Sequence, residues 1–149
     1  MIVSFDTNIL VYATAASPVG KTSRAREVIA RGIRGGSSVL LLQTLAEFSH
    51  VAIRKARISA HQVRTIVDAW RAVLPVRVAE ENDLSSALEA VKMHRLAFWD
   101  AMMWAAARRV GVRHFVTEDL QDGFELDGVS FINPFKSVND QMIDNILPP

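Results

Sequence analysis

Ile2-Val3-Ser4-Phe5-Asp6-Thr7-Asn8-Ile9-Leu10 opens the chain with a short apolar run that stops at a carboxylate. Such a run reads as a strand buried on both faces, the pattern of a parallel sheet covered by helices. A carboxylate does not belong in a dry core unless something cationic meets it, and ligands of open α/β sheets sit at the carboxyl ends of strands. Asp6 therefore has two readings: it anchors a site, or it caps a helix beginning near Thr7 by accepting backbone N–H groups. The rest of the chain has to separate them.

Working outward, Asn8 to Ala13 forms a short helix, broken by the small residues, Pro and Gly of Ala15-Ala16-Ser17-Pro18-Val19-Gly20. A second helix runs from about Thr22 to Arg34, with Ala25, Val28, Ile29 and Ile33 on its apolar face, and Gly35-Gly36 ends it. Ser38 to Leu42 is a second buried strand that leads straight into a helix from Thr44 to about Lys55. Another helix, from about Ala60 to Val73, carries Val63, Ile66, Val67 and Trp70 on one face and is stopped by Pro75. Val76 to Val78 is a short strand, and the acidic start Glu80-Glu81-Asn82-Asp83 leads a helix to about His94 that is expected to bury Leu84, Ala87, Leu88 and Val91. Ala97 to Ala107 is apolar nearly all round, apart from Asp100, and reads as a central buried helix. Gly111 closes it; His114 to Thr117 and Val129 to Ile132 complete about five strands. The alternation of strand and helix specifies an α/β fold in three layers, with a mostly parallel sheet between helices.

At 149 residues, half of them apolar, the chain suits one domain spanning 1–149. A formal charge of +1 gives no overall basic field, so any nucleic acid must be met by local patches. With no cysteine, thiol nucleophiles, disulfides and thiolate zinc sites are excluded together. The apolar start is too short for a signal peptide, and no segment approaches the roughly 20 apolar residues of a membrane span, so a soluble, cytoplasmic protein is expected.

Asp6, Glu47, Asp100 and the Glu118-Asp119 pair share one feature: each ends a strand or opens an otherwise apolar helix. Each also has a structural reading. Glu47 is the third residue after Thr44 and fits a capping box, Asp100 can meet the helix dipole, and Glu118-Asp119 with Asp122 and Gly123 can be turn chemistry. A parallel sheet gathers its strand ends at one edge, however, where several carboxylates repel one another unless cations lie between them. Hard divalent ions such as Mg²⁺ answer that need with oxygen ligands and retained waters. Such ions activate water and offset the charge developing on phosphate in an in-line displacement, which points to phosphodiester hydrolysis. A metal-free acid/base or nucleophilic site is weaker, because no Ser, His or Cys stands beside these acids; His50, His61, His94 and His114 are scattered and read as surface or packing residues.

Val3-Ser4-Phe5-Asp6-Thr7-Asn8-Ile9-Leu10, Gln43-Thr44-Leu45-Ala46-Glu47-Phe48, Phe98-Trp99-Asp100-Ala101, Val116-Thr117-Glu118-Asp119-Leu120-Gln121-Asp122-Gly123 and Asn133-Pro134-Phe135 together resemble the PIN-domain family, particularly the VapC-type toxins of bacterial toxin–antitoxin pairs. The order and spacing of the motifs carry the resemblance, over about residues 1–135. It implies a Rossmann-like α/β/α fold and a Mg²⁺- or Mn²⁺-dependent endoribonuclease, usually a homodimer, inhibited by a small antitoxin. By position, Asp6, Glu47 and Asp100 match the family's three acidic residues and Asp119 best matches the fourth, with Glu118 and Asp122 as rivals. Asn8 and Thr117 match polar residues that support the site. Phe98 and Trp99 depart from the pattern, which often has a small or polar residue before the third acid. The tail from Lys136 to Pro149 matches nothing in the family.

With that resemblance, Arg54, Lys55 and Arg57, together with the Lys21 to Arg34 helix, are the candidate RNA-backbone contacts, although basic helix faces are often simply solvated. Two other readings compete. A haloacid-dehalogenase-like phosphatase also places Asp after its first strand, but expects a second Asp where this chain has Asn8. A PIN-like binding module without catalysis would have lost an acid, and none is missing.

Overall fold

The computed structural model describes residues 1–14 and 20–149; apart from Gly20, the helix break expected at 15–20 lies outside the described residues. The chain runs β1 (Ile2–Phe5), α1 (Thr7–Thr14), α2 (Lys21–Gly35), β2 (Ser38–Leu41), α3 (Leu42–Arg54), α4 (Ala60–Val73), β3 (Val76–Arg77), α5 (Glu81–His94), α6 (Phe98–Arg109), β4 (Val112–Val116), β5 (Glu125–Leu126), β6 (Val129–Ile132) and α7 (Asp140–Ile146), with a 3₁₀ turn at Ser137–Asn139 before the last helix.

The strands form one sheet in the order β3-β2-β1-β4-β6-β5. All pairings are parallel except that of β5 with β6. The two-residue β5 is the one strand beyond those expected; it is too short to carry a periodic signal, and Trp104 Nε1 fixes it by donating to the Leu126 carbonyl at 3.1 Å. From β1 the chain builds outward through β2 and β3, then crosses to β4 on the other side. The switch in strand order thus falls between β1 and β4, the place where doubly wound sheets leave a crevice at their carboxyl ends.

Alternate side chains supply two cores. Val3, Phe5, Leu40 and Val116 pack with α1, α2, α3, α4 and α7 through Leu10, Val28, Phe48, Val63 and Ile143. Val39, Leu41, Phe115 and Phe131 face the opposite way, onto Ala87 of α5 and Ala101, Trp104 and Ala105 of α6. This period-two division is why the strands are continuously apolar. Close contact of α2 with the sheet depends on Gly32, where an added Cβ would lie 2.8 Å from Phe5 Cζ. Gly36, at φ 62°, ends α2 by donating to the Ile33 carbonyl. Ser59 and Gln62 form a reciprocal capping box that starts α4.

Three expectations are corrected. Leu84 and Leu88 are not buried: they are 44% and 54% exposed, while Asp83, Ala87 and Ala90 face inward. The helix turns this way because Asp83 accepts both oxygens' worth of hydrogen bonding from Arg109 Nε, at 3.0 Å, tying α5 to α6. The central helix α6 is buried at Ala101 and from Met103 to Ala107, but its first turn puts Phe98 and Trp99 at the surface. Finally, α3 begins at Leu42, two residues before Thr44. Thr44 Oγ1 accordingly donates to the Leu41 carbonyl, and the capping-box reading of Glu47 lapses.

Candidate active site

Asp6 follows the last residue of β1 and is 7% exposed. Its side chain does not cap α1 in the usual way: Ile9 N and Leu10 N donate to its backbone carbonyl, whereas Oδ1 accepts only the adjacent Thr7 N–H, at 2.6 Å. Oδ2 accepts from Thr117 Oγ1 at 2.6 Å and from Asn8 Nδ2 at 3.1 Å. Burial, reinforced by the nearby charges of Asp119 and Asp100, raises its pKa from 3.8 to about 6 against the lowering effect of the Thr117 and Thr7 hydrogen bonds.

The second acid comes from α3. Glu47 Oε2 accepts from Thr7 Oγ1 at 3.1 Å and Oε1 from Gln43 Nε2 at 2.8 Å, so the helix is hinged to the β1 end through the residue after Asp6. The same Gln43 nitrogen donates to the Trp99 carbonyl at 2.9 Å and brings the first turn of α6 alongside. There Asp100 is half-buried, its pKa raised by desolvation and then by the fields of Glu47 and Asp119. Thr7 and Gln43 are thus site residues that the sequence reading left without a role, although both lie inside the quoted motifs.

The three rivals for the fourth acid separate clearly. Asp119 Oδ2 accepts from Asn8 Nδ2 at 3.0 Å, and its backbone N–H donates to Thr117 Oγ1 at 3.2 Å. Asn8 therefore bridges Asp6 and Asp119 with one amide nitrogen. Glu118 turns away: desolvation would raise its pKa, but Lys21 and Tyr12, which both bond its carboxylate, lower it overall. Asp122 accepts from Asn133 N and Asn139 Nδ2 and pairs with Lys136, and it organises the loop after β4. Asp6, Glu47, Asp100 and Asp119 are the set that feel one another electrostatically at the β1–β4 switch point.

None of these four joins an ion pair with a described Lys or Arg. Asn8 Oδ1 is buried without a hydrogen-bond partner among the described residues. Hard oxygen donors with unrelieved mutual repulsion fit a divalent cation. They do not form a closed cage: among the described residues no three His, Cys, Asp or Glu side chains converge closely enough to hold an ion unaided. The donor set thus fits an ion that keeps part of its water shell, as Mg²⁺ does with one or two direct carboxylates.

The basic residues divide. Arg54, Lys55 and Arg57, around the end of α3, are exposed. On α2 most cations serve the fold instead, which corrects the expectation for that helix: Lys21 pairs with Glu118, Arg24 with Glu27 and Asp140, and Arg31 with Glu27 and Asp144, while Arg26 donates to the Ala13 carbonyl. Arg31 and Arg24 in this way hold α7, the tail helix, against α2.

The solved structures that share this fold include a toxin–antitoxin complex from Klebsiella pneumoniae, at TM-score 0.65 and 15% identity, over 90% of this chain and 98% of that one. DNA-bound VapBC from Salmonella typhimurium matches at TM-score 0.62 and 17% identity, over 88% and 96% of the two chains. Mycobacterium tuberculosis VapC20, described as a sarcin–ricin loop cleaving toxin, matches at TM-score 0.59 and 17% identity, over 76% and 86%. No curated protein matches by sequence. The family model for the PIN domain matches residues 3–125, a span that begins in β1, ends in β5 and contains all four clustered acids, and the chain belongs to the PIN-domain family.

Proposed function

We propose that this protein is a divalent-metal-dependent endoribonuclease and the toxin of a type II toxin–antitoxin pair. The observation that carries the reading is the electrostatic grouping of Asp6, Glu47, Asp100 and Asp119 at the sheet's switch point, with Asp6 and Asp100 pushed up by burial and by their neighbours' charge. Asp6, Asp100 and Glu47 would hold Mg²⁺ or Mn²⁺, one or two of them directly and the rest through its retained waters, with Asp119 binding directly or through water. When bound, such an ion activates water and offsets the charge that develops on the phosphate. Thr117 and Asn8 hold Asp6 Oδ2 and the Thr7 N–H holds Oδ1, and Asn8 fixes one oxygen of Asp119, which would leave the other to orient the attacking water.

The structural neighbours solved as toxin–antitoxin complexes support an antitoxin partner and the VapC20 neighbour supports RNA as substrate. We extend to this chain the homodimer implied by its family and a cytoplasmic site of action; no helix among the described residues is long and apolar enough to cross a membrane. A haloacid-dehalogenase-like phosphatase is disfavoured because Asn8, where that chemistry expects a second carboxylic acid, is spent donating to Asp6 and Asp119.

The test is cleavage of total cellular RNA, with mapping of the new ends, by purified wild type with Mg²⁺ and with chelator, beside Asp6→Asn and Asp100→Asn. Cleavage that needs the ion and disappears in both folded variants is expected. Undiminished cleavage by either variant, or in chelator, overturns the assignment.

A further inference from the structure

Trp99 immediately precedes Asp100 yet is 64% exposed, the most exposed of the aromatic side chains at the surface. Single exposed apolar residues need no explanation. Here, however, Phe98 and Trp99 are adjacent and meet edge to face with centroids 5.1 Å apart, and Trp99 lines a groove with Thr7, Gln43, Glu47, His50 and Val51. The position is also fixed relative to the acids, because one Gln43 nitrogen binds both the Trp99 carbonyl and Glu47. Glu47, His50, Val51 and Arg54 recur at helical spacing and so share one face of α3. That face begins at the carboxylates, passes the aromatic rim and ends at the exposed guanidinium of Arg54 and the neighbouring Lys55.

Resting on the ribonuclease reading, we infer that this groove takes an unpaired RNA segment, with one base stacked on the Trp99 indole beside the scissile phosphate and the strand's next phosphates led along α3 to Arg54. The charge distribution favours this occupant. The acid end repels a phosphate except across a cation, the basic end attracts one, and between them lies a neutral aromatic face that any base can cover. Duplex RNA buries its base faces in the stack, so only a splayed, unpaired nucleotide can reach a side chain in this way. Phe98 packs against the indole in an edge-to-face contact, with the ring planes 68° apart.

The experiment titrates the full-length protein in chelator with a short single-stranded RNA of mixed sequence, and with the same RNA annealed to its complement, following indole emission and anisotropy of labelled RNA. The other two indoles, Trp70 and Trp104, are partly and fully buried, so a Trp70→Phe background isolates the exposed one. Single-stranded RNA is expected to quench the wild type and not Trp99→Ala, which binds about 10- to 100-fold more weakly, while Trp99→Phe recovers most of the affinity. In Mg²⁺, Trp99→Ala should weaken cleavage mainly by raising KM, with kcat little changed. Cleavage and binding by Trp99→Ala equal to wild type overturns the stacking site while leaving the nuclease intact. Trp99-dependent binding without any cleavage leaves the stacking site standing and removes the nuclease. Equal quenching by duplex RNA, or a Trp99→Ala variant whose only change is its mass in solution, overturns the inference in favour of shape recognition or of a protein interface.

Discussion

Thr117 Oγ1 donates to Asp6 Oδ2 across 2.6 Å, joining the end of β4 to the end of β1 at the point where the sheet changes direction. The same oxygen accepts the Asp119 amide at 3.2 Å, so one buried hydroxyl sets the spacing of two acids that are far apart in sequence. It is also the foremost of the contacts that hold down the pKa of Asp6 against burial.

Thr117→Val keeps the side chain's shape and removes both of these bonds together with the longer one from Asn8 Nδ2 at 3.5 Å. It should destabilise the protein by about 1–3 kcal/mol, since the buried Asp6 carboxylate and the part-buried Asp119 amide each lose a partner. Without that donor the Asp6 pKa rises further, so the pH at which metal-dependent cleavage reaches half its maximum moves upward. Thr117→Ser retains the hydroxyl and should restore the profile. Denaturant unfolding and a pH–rate series on the three proteins check this; an unmoved profile in Thr117→Val would show that the bond does not tune Asp6.

The raised Asp6 pKa makes its own statement about stability. The folded protein holds this proton up to about pH 6, whereas the unfolded chain releases it near 3.8. Between those values the native state binds more protons, so its stability falls as pH rises through the window and levels off above it. The drop from this group is on the order of 3 kcal/mol, taking about 1.4 kcal/mol per pKa unit. In Asp6→Asn that component of the pH dependence should vanish. Urea unfolding in chelator from pH 4 to 7.5 measures it, and parallel curves for the two proteins would refute the assignment of the slope to Asp6.

Much of this site was legible because each acid is adjacent to an element whose type is plain. Asp6 ends an unbroken apolar strand, and Asp100 opens an Ala-rich helix that has to be buried. The strand order that brings them together follows from the alternation of strand and helix. Less legible was anything set by long-range pairing. The inward face of α5 is chosen by Arg109, twenty-six positions after Asp83, and two leucines at helical spacing give the opposite impression. The choice among Glu118, Asp119 and Asp122 depends on Lys21, Tyr12, Asn8 and Asn139, none of them near in sequence.

That choice can be tested directly. Asp119→Asn removes a carboxylate from the electrostatic cluster and should lower metal-dependent cleavage by about 100-fold or more, within the range seen for loss of a catalytic carboxyl group. Glu118→Gln keeps a hydrogen-bond acceptor for Tyr12 and loses only the charge met by Lys21; it should stay within about tenfold of wild type. Asp122→Asn should act on loop stability instead, visible in melting temperature before it is visible in rate. A larger rate loss in Glu118→Gln than in Asp119→Asn would reassign the fourth acid.

The corrected orientation of α5 yields the clearest prediction about the fold. Asp83 is buried and engages Arg109 Nε with both oxygens while also accepting the Glu80 N–H at 2.8 Å, so it closes the start of α5 and its junction with α6 at once. Removing it leaves Arg109 Nε and the Glu80 amide without their partner, while the other guanidinium nitrogens keep Glu80 and the Val78 carbonyl. Asp83→Ala should therefore cost about 2–4 kcal/mol, below the upper end for broken buried pairs because Arg109 keeps some contact with water. Leu84→Ala, one position on and facing solvent, should change stability by no more than about 0.5 kcal/mol. Chemical denaturation of the two variants decides between this orientation and the one that buries Leu84, because the alternative reverses their ranking.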